Sequence, residues 1–141
     1  MPSLKTLLLT ASAALLTNAS PMISALSVPS TAAAGSNITA TLSTSIYIQN
    51  WEDFGIIWGL TSPAVGGQSA DGGNIYVGTQ IAYTPLYGTN VEKLNSFTVE
   101  LGIPESQTPG DWLLVAAVPY LVGASGSTGL HSFNSTIKIT A

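Results

Sequence analysis

The chain has 141 residues, of which 7% are charged: three lysines, seven acidic side chains and no arginine, for a formal net charge of −4. Phosphate neutralisation needs clustered Lys and Arg, so this balance argues against nucleic acid as a partner. The absence of cysteine excludes disulfides and thiolate metal sites, and a hydrophobic content of 45% with 11 aromatic residues argues against disorder.

The chain opens on a short basic start, Met1 to Lys5, followed by the apolar run Thr6 to Leu16 and small residues up to Ala19. This is the three-part layout of a secretory signal peptide, and the run is too short to span a bilayer, which takes about 20 residues. The expected division is therefore a signal peptide at 1–19 and a single domain at 20–141. The most apolar later segment, Trp112 to Val122, is interrupted by Pro119, so no stable membrane insertion is expected.

Beyond the leader the hydrophobic pattern repeats every two residues. The expected strands are Ile23–Val28, Ile38–Thr44, Phe54–Leu60, Tyr76–Tyr83, Leu94–Leu101, Trp112–Val118 and Ser135–Thr140. In the second, Ile38, Ala40 and Leu42 alternate with hydroxylated residues. In the third, Phe54, Ile56, Trp58 and Leu60 share one face. Phe97, Val99 and Leu101 point inward in the fifth. The sixth is apolar throughout, as a strand covered on both faces would be. Ile137 and Ile139 alternate with Thr136 and Lys138 in the last. Turn residues separate the runs: Pro29-Ser30, Gly35-Ser36, Pro63, Gly66-Gly67, Asp71-Gly-Gly73, Pro104, Pro109-Gly110 and Gly123 to Gly129. No segment forms a convincing amphipathic helix. The expectation is an all-β, antiparallel, immunoglobulin-like β-sandwich of about seven strands with no disulfide; a small barrel is the alternative.

The residues that carry chemistry are sparse. Glu52 and Asp53 are adjacent carboxyls, which a strand points to opposite faces, whereas glycosidases need two facing one sugar at about 5 to 9.5 Å. A Ser-His-Asp set can be written from Ser125, His131 and Asp111, but Gly123-Ala-Ser-Gly-Ser127 misses the nucleophile-elbow pattern at its last position and no helix follows it. His131, the only histidine, reads as a solvent-facing loop residue. Asp71-Gly-Gly-Asn74 reads as turn chemistry rather than a calcium loop. No catalytic residue, metal site or cofactor is expected, and the chain is not expected to be an enzyme. Two sequons, at Asn37 and Asn134, are possible glycosylation sites on the surface.

The aromatic residues Tyr47, Trp51, Tyr76, Tyr83 and Tyr87 fall near turns or strand ends, where they serve either as contact residues or as corner packing. The densest stretch is Tyr47-Ile-Gln-Asn-Trp-Glu-Asp-Phe54. Extended to Leu60, it resembles the necrosis-inducing secreted proteins of plant-associated fungi. The resemblance is best over Ile38 to Leu60 and reaches Pro109-Gly-Asp-Trp112 and the last strand. It implies a secreted effector that provokes host cell death and interferes with plant immune signalling by binding receptor-associated kinases; it carries over no catalytic residue. Pro109-Gly-Asp-Trp-Leu-Leu-Val115 is also similar to strand entries of immunoglobulin-like modules in fungal cell-wall proteins, which speaks to fold rather than function.

The expected partner surface is Tyr47, Gln49, Asn50, Trp51, Glu52 and Asp53, facing a host protein that offers a basic patch. The alternative is a glycan-binding or cell-wall module using Asp71, Asn74, Tyr76, Tyr87 and Asn90. Either role places the protein outside the producing cell, in the host apoplast or cytoplasm.

Overall fold

The computed structural model describes residues 20–64, 74–89, 91 and 95–141. The expected leader lies outside these residues, as do Asp71 and Asn90. Among the described residues nine strands run β1 (Ser20–Ser27), β2 (Thr31–Ala33), β3 (Asn37–Tyr47), β4 (Trp51–Asp53), β5 (Gly55–Thr61), β6 (Thr79–Pro85), β7 (Ser96–Gly102), β8 (Gly110–Val122) and β9 (Ser127–Thr140). They form two sheets in a sandwich-like arrangement. The smaller is ordered β1-β3-β7; the larger is ordered β2-β9-β8-β5-β6, with β4 paired beside β5 on β8. Among the described residues there is no helix.

The period-two pattern accounts for the core. Ile23, Ile38, Ala40, Leu42, Phe97 and Leu101 from the small sheet meet Ile56, Trp58, Leu60, Leu114, Ala116, Val118, Ile137 and Ile139 from the large one. Trp58 is fully buried, and its indole N–H donates to Thr84 Oγ1 at 2.9 Å. That bond satisfies the one polar atom of the largest core side chain. β8 is central, as its composition requires: Leu113, Val115 and Ala117 are buried on the face opposite the core.

The strands depart from expectation in several places, and the short strand β4 is one that the expected seven did not include. β2 is an additional short strand and pairs with β9 in parallel, against the otherwise antiparallel ladders. The fourth expected strand, Tyr76–Tyr83, starts later, at Thr79. Ahead of it, Val77 lies so close over Gly59 that a Cβ there would sit 2.7 Å from the Val77 carbonyl carbon. β8 and β9 also run well past Val118 and Ser135 as a hairpin, closed by Gly123 and Gly126 at positive φ. Pro119 does not end β8. Its carbonyl accepts from the Phe54 N–H at 2.9 Å, so its missing N–H falls where β4 gives way to β5 and the ladder is already interrupted.

That interruption is a β-bulge. Asp53 pairs with Tyr120 and Ile57 with Ala117, so four residues on one strand span three on the other. One extra residue inverts the alternation. Unbroken, the face of Ile56, Trp58 and Leu60 would continue to Phe54 and Glu52. Instead Phe54, expected inward, is turned to the outer face, and Trp51 and Asp53 point in.

Candidate functional site

The bulge divides the expected partner surface between two sides of the sheet. Gln49 and Asn50 are exposed, at the tip of the molecule, where they line a hollow of about 410 Å³ with Ile48 and Ala124. Tyr47 and Glu52 are half-buried. Trp51 is 9% exposed and Asp53 1%, so neither is the surface contact residue that an unbroken strand predicts. The correction has a polar logic. Trp51 Nε1 donates to Asp53 Oδ1 at 2.8 Å, and the Ile23 N–H on β1 donates to Oδ2 at 2.9 Å. The carboxyl closes the large sheet onto the edge of the small one, and burial of so polar a group is tolerated because both oxygens have donors.

Trp51 also anchors an aromatic cluster. It stacks on Tyr120 at 4.4 Å between ring centroids, with Tyr47 at 5.0 Å and His131 at 5.1 Å. His131 sits in β9 opposite Val118, half-buried, 4.5 Å from Tyr120 and 6.1 Å from Phe133. It is therefore a packed strand residue, not the loop residue expected. The Ser125-His131-Asp111 set is not assembled. Asp111 pairs with Lys138, seven residues along β8 from the partner of His131, about 23 Å at the rise of a strand. Among the described residues no three His, Cys, Asp or Glu side chains gather as a metal site, and no helix is long and apolar enough to cross a membrane.

The outer face of the same end is what the bulge exposes. Phe54 stacks on Tyr87 at 5.1 Å, and Phe54, Pro119, Thr128, Leu130 and Asn74 line a hollow of about 680 Å³. Tyr83 lies over Gly55, and Tyr76 stands nearby in sequence ahead of β6; Tyr83 and Tyr87 are 54% and 66% exposed. Leu130 and Ile48 are exposed as well. Glu52 projects to this side, on the face opposite Asp53. Partial burial, and secondarily the negative charge of Asp53, raise its carboxyl above the ordinary value. The surface is aromatic, nearly free of charge and open. Its aromatic rings match the composition enriched at contact surfaces. Tyr87 and Asn74, which the sequence assigned to the glycan alternative, border it, and Glu52, from the protein-binding set, flanks it. Phe54, Pro119 and Leu130 were missed; the signal that could have found them is Pro119, a proline within an apolar run, which marks a bulge. The sequons at Asn37 and Asn134 are both exposed, on β3 and β9.

Residues 19–138 match the Nis1 family. The necrosis-inducing secreted protein 1 of Colletotrichum orbiculare is 34% identical over 134 residues, covering 93% of this chain and 77% of the relative. Its namesake in Colletotrichum higginsianum is 29% identical over 132 residues, covering 92% and 85%. Both relatives are named as secreted proteins, and the present chain is likewise secreted.

Proposed function

This chain belongs to the Nis1 family, and from that premise we propose that it is a fungal effector that provokes necrosis in plant tissue by binding a host protein. The named activity of the relatives supports the first part. The second rests on one observation: an open aromatic patch of Phe54, Tyr83, Tyr87 and Leu130 on a disulfide-free scaffold. Exposed Tyr buries much area on contact at low entropic cost, and it is enriched among residues that dominate binding energy. The partner in this reading is a receptor-associated kinase of the immune system, whose capture interferes with signalling. The net charge of −4 favours a basic patch on that partner. The protein acts by contact and not by catalysis, and its leader at 1–19 directs export.

Expression of the full chain in leaf, followed by affinity capture, tests this reading. Co-purification of a receptor-associated kinase that binds the purified chain directly supports it; capture without any such kinase contradicts it. A second reading has its own observation. Tyr83 and Tyr87 are exposed rings, and Tyr87 stacks on Phe54, which lines a hollow together with Asn74; this is the type of surface on which sugars stack. Retention on insoluble chitin or glucan, with no kinase captured, would favour the glycan module instead.

A further inference from the structure

Among the described residues, the outer edge of the long strand β9 is paired by another strand only near its end, and β1 packs beside it without pairing. β9 pairs with β8 over its whole useful length, Gly110↔Ile139 to Val122↔Ser127, with no register shift. On its other side β2 covers only Lys138 to Thr140. The Lys138 N–H donates to the Ser30 carbonyl at 2.8 Å, and the Thr140 carbonyl accepts from Ala34 at 3.0 Å. Backbone groups alternate in direction along a strand, so the residues in step with Lys138 and Thr140 face the same way. These are Leu130, Ser132, Asn134 and Thr136. Their N–H and C=O groups form a row of about 20 Å with no pairing strand among the described residues. Beside this row lies a groove of about 360 Å³ between β9 and β1, lined by Met22, Ile23, Leu130, His131 and Phe133. Ser132, in the middle of the row, carries a buried Oγ with no hydrogen-bond partner.

We propose that this edge is a second binding site, which takes an extended peptide segment of another protein as an added strand of the large sheet. Only an extended chain presents donors and acceptors at the spacing of the row. The groove takes alternate side chains of that segment, and its Met, Ile, Leu and Phe lining selects apolar ones. A second copy of this chain is the weaker occupant, because each copy carries a net charge of −4 and the pair would repel. A neutral or basic segment meets no such opposition. The site does not depend on which host protein the aromatic patch binds.

The test uses the full chain and a library of end-blocked nine-residue peptides in which apolar residues alternate with Thr or Lys. The expected result is a binder that slows amide exchange at Leu130, Ser132 and Asn134. Methylating its alternate amide nitrogens on the pairing edge should weaken it about tenfold or more, since each lost backbone bond counts against affinity. Ser132→Pro removes one edge N–H without touching the β8 ladder, and should weaken the same peptide while leaving the melting temperature nearly unchanged. The N-methyl comparison stands even if that variant does not fold. The proposal is overturned if no peptide binds, if N-methylation leaves affinity unchanged, if protection maps away from β9, or if the edge proves to be closed by dimerisation of the chain.

Discussion

Trp51 and Asp53, two positions apart on β4, share the inward face and are joined by a 2.8 Å hydrogen bond from the indole to the carboxyl. Because Ile23 donates to the other oxygen, Asp53 holds three segments of the fold together: its own strand, the aromatic cluster and β1. Asp53→Ala leaves two buried N–H groups without acceptors and should cost about 3 kcal/mol. Asp53→Asn, which retains one acceptor oxygen, should cost less. Gln49→Ala, at the exposed tip, should stay within about 0.5 kcal/mol. Urea unfolding with unchanged slopes measures all three.

Glycine at positions 55 and 59 lets the outer face of β5 be covered closely, but by different neighbours. At Gly59 an added Cβ meets the backbone of Val77, which cannot turn aside. At Gly55 it meets the ring of Tyr83, which can swing outward. Gly59→Ala should therefore cost about 2 kcal/mol or more, and Gly55→Ala distinctly less. Thermal melts rank the pair. Gly55→Ala should also alter the emission of Tyr83 by exposing its ring.

Glu52 predicts a pH dependence. Its carboxyl is raised in the folded state, first by burial and then by the charge of Asp53, so the folded chain holds this proton more tightly than the unfolded one. Its contribution to stability is full below the ordinary carboxyl range and is lost as pH rises through the raised value. Glu52→Gln should thus be more stable than the parent at pH 7, by less than about 1 kcal/mol because the side chain is half in water. The two should converge near pH 4. Melting temperatures at both pH values show the sign.

Much of this fold is legible in the alternation of side chains. Ile38, Ala40 and Leu42, or Ile137 and Ile139, each announce a strand and its inward face, and the unbroken apolar run at Leu113 to Val118 announces a central one. The site is less legible, because it depends on a single inserted residue. Read with a regular period, Trp51 and Asp53 belong outside and Phe54 inside; the bulge at Phe54 reverses all three. The extension of β8 and β9 is hidden for a related reason. Pro119 looks like a terminator, and His131, Ser132 and Asn134 look like loop residues. In fact Pro119 sits where no N–H is needed, and the polar stretch lies along a strand whose far edge meets no pairing strand among the described residues.

The most direct test of the outer aromatic face is necrosis in leaf provoked by the full chain carrying Tyr83→Ser and Tyr87→Ser. Both side chains are exposed, so the variant should melt within a few degrees of the parent. This folded, secreted variant is expected to capture no receptor-associated kinase and to leave the tissue alive. Necrosis at the parent level from the same variant, with its fold and yield verified, would contradict the claim that the outer aromatic face is where the protein acts.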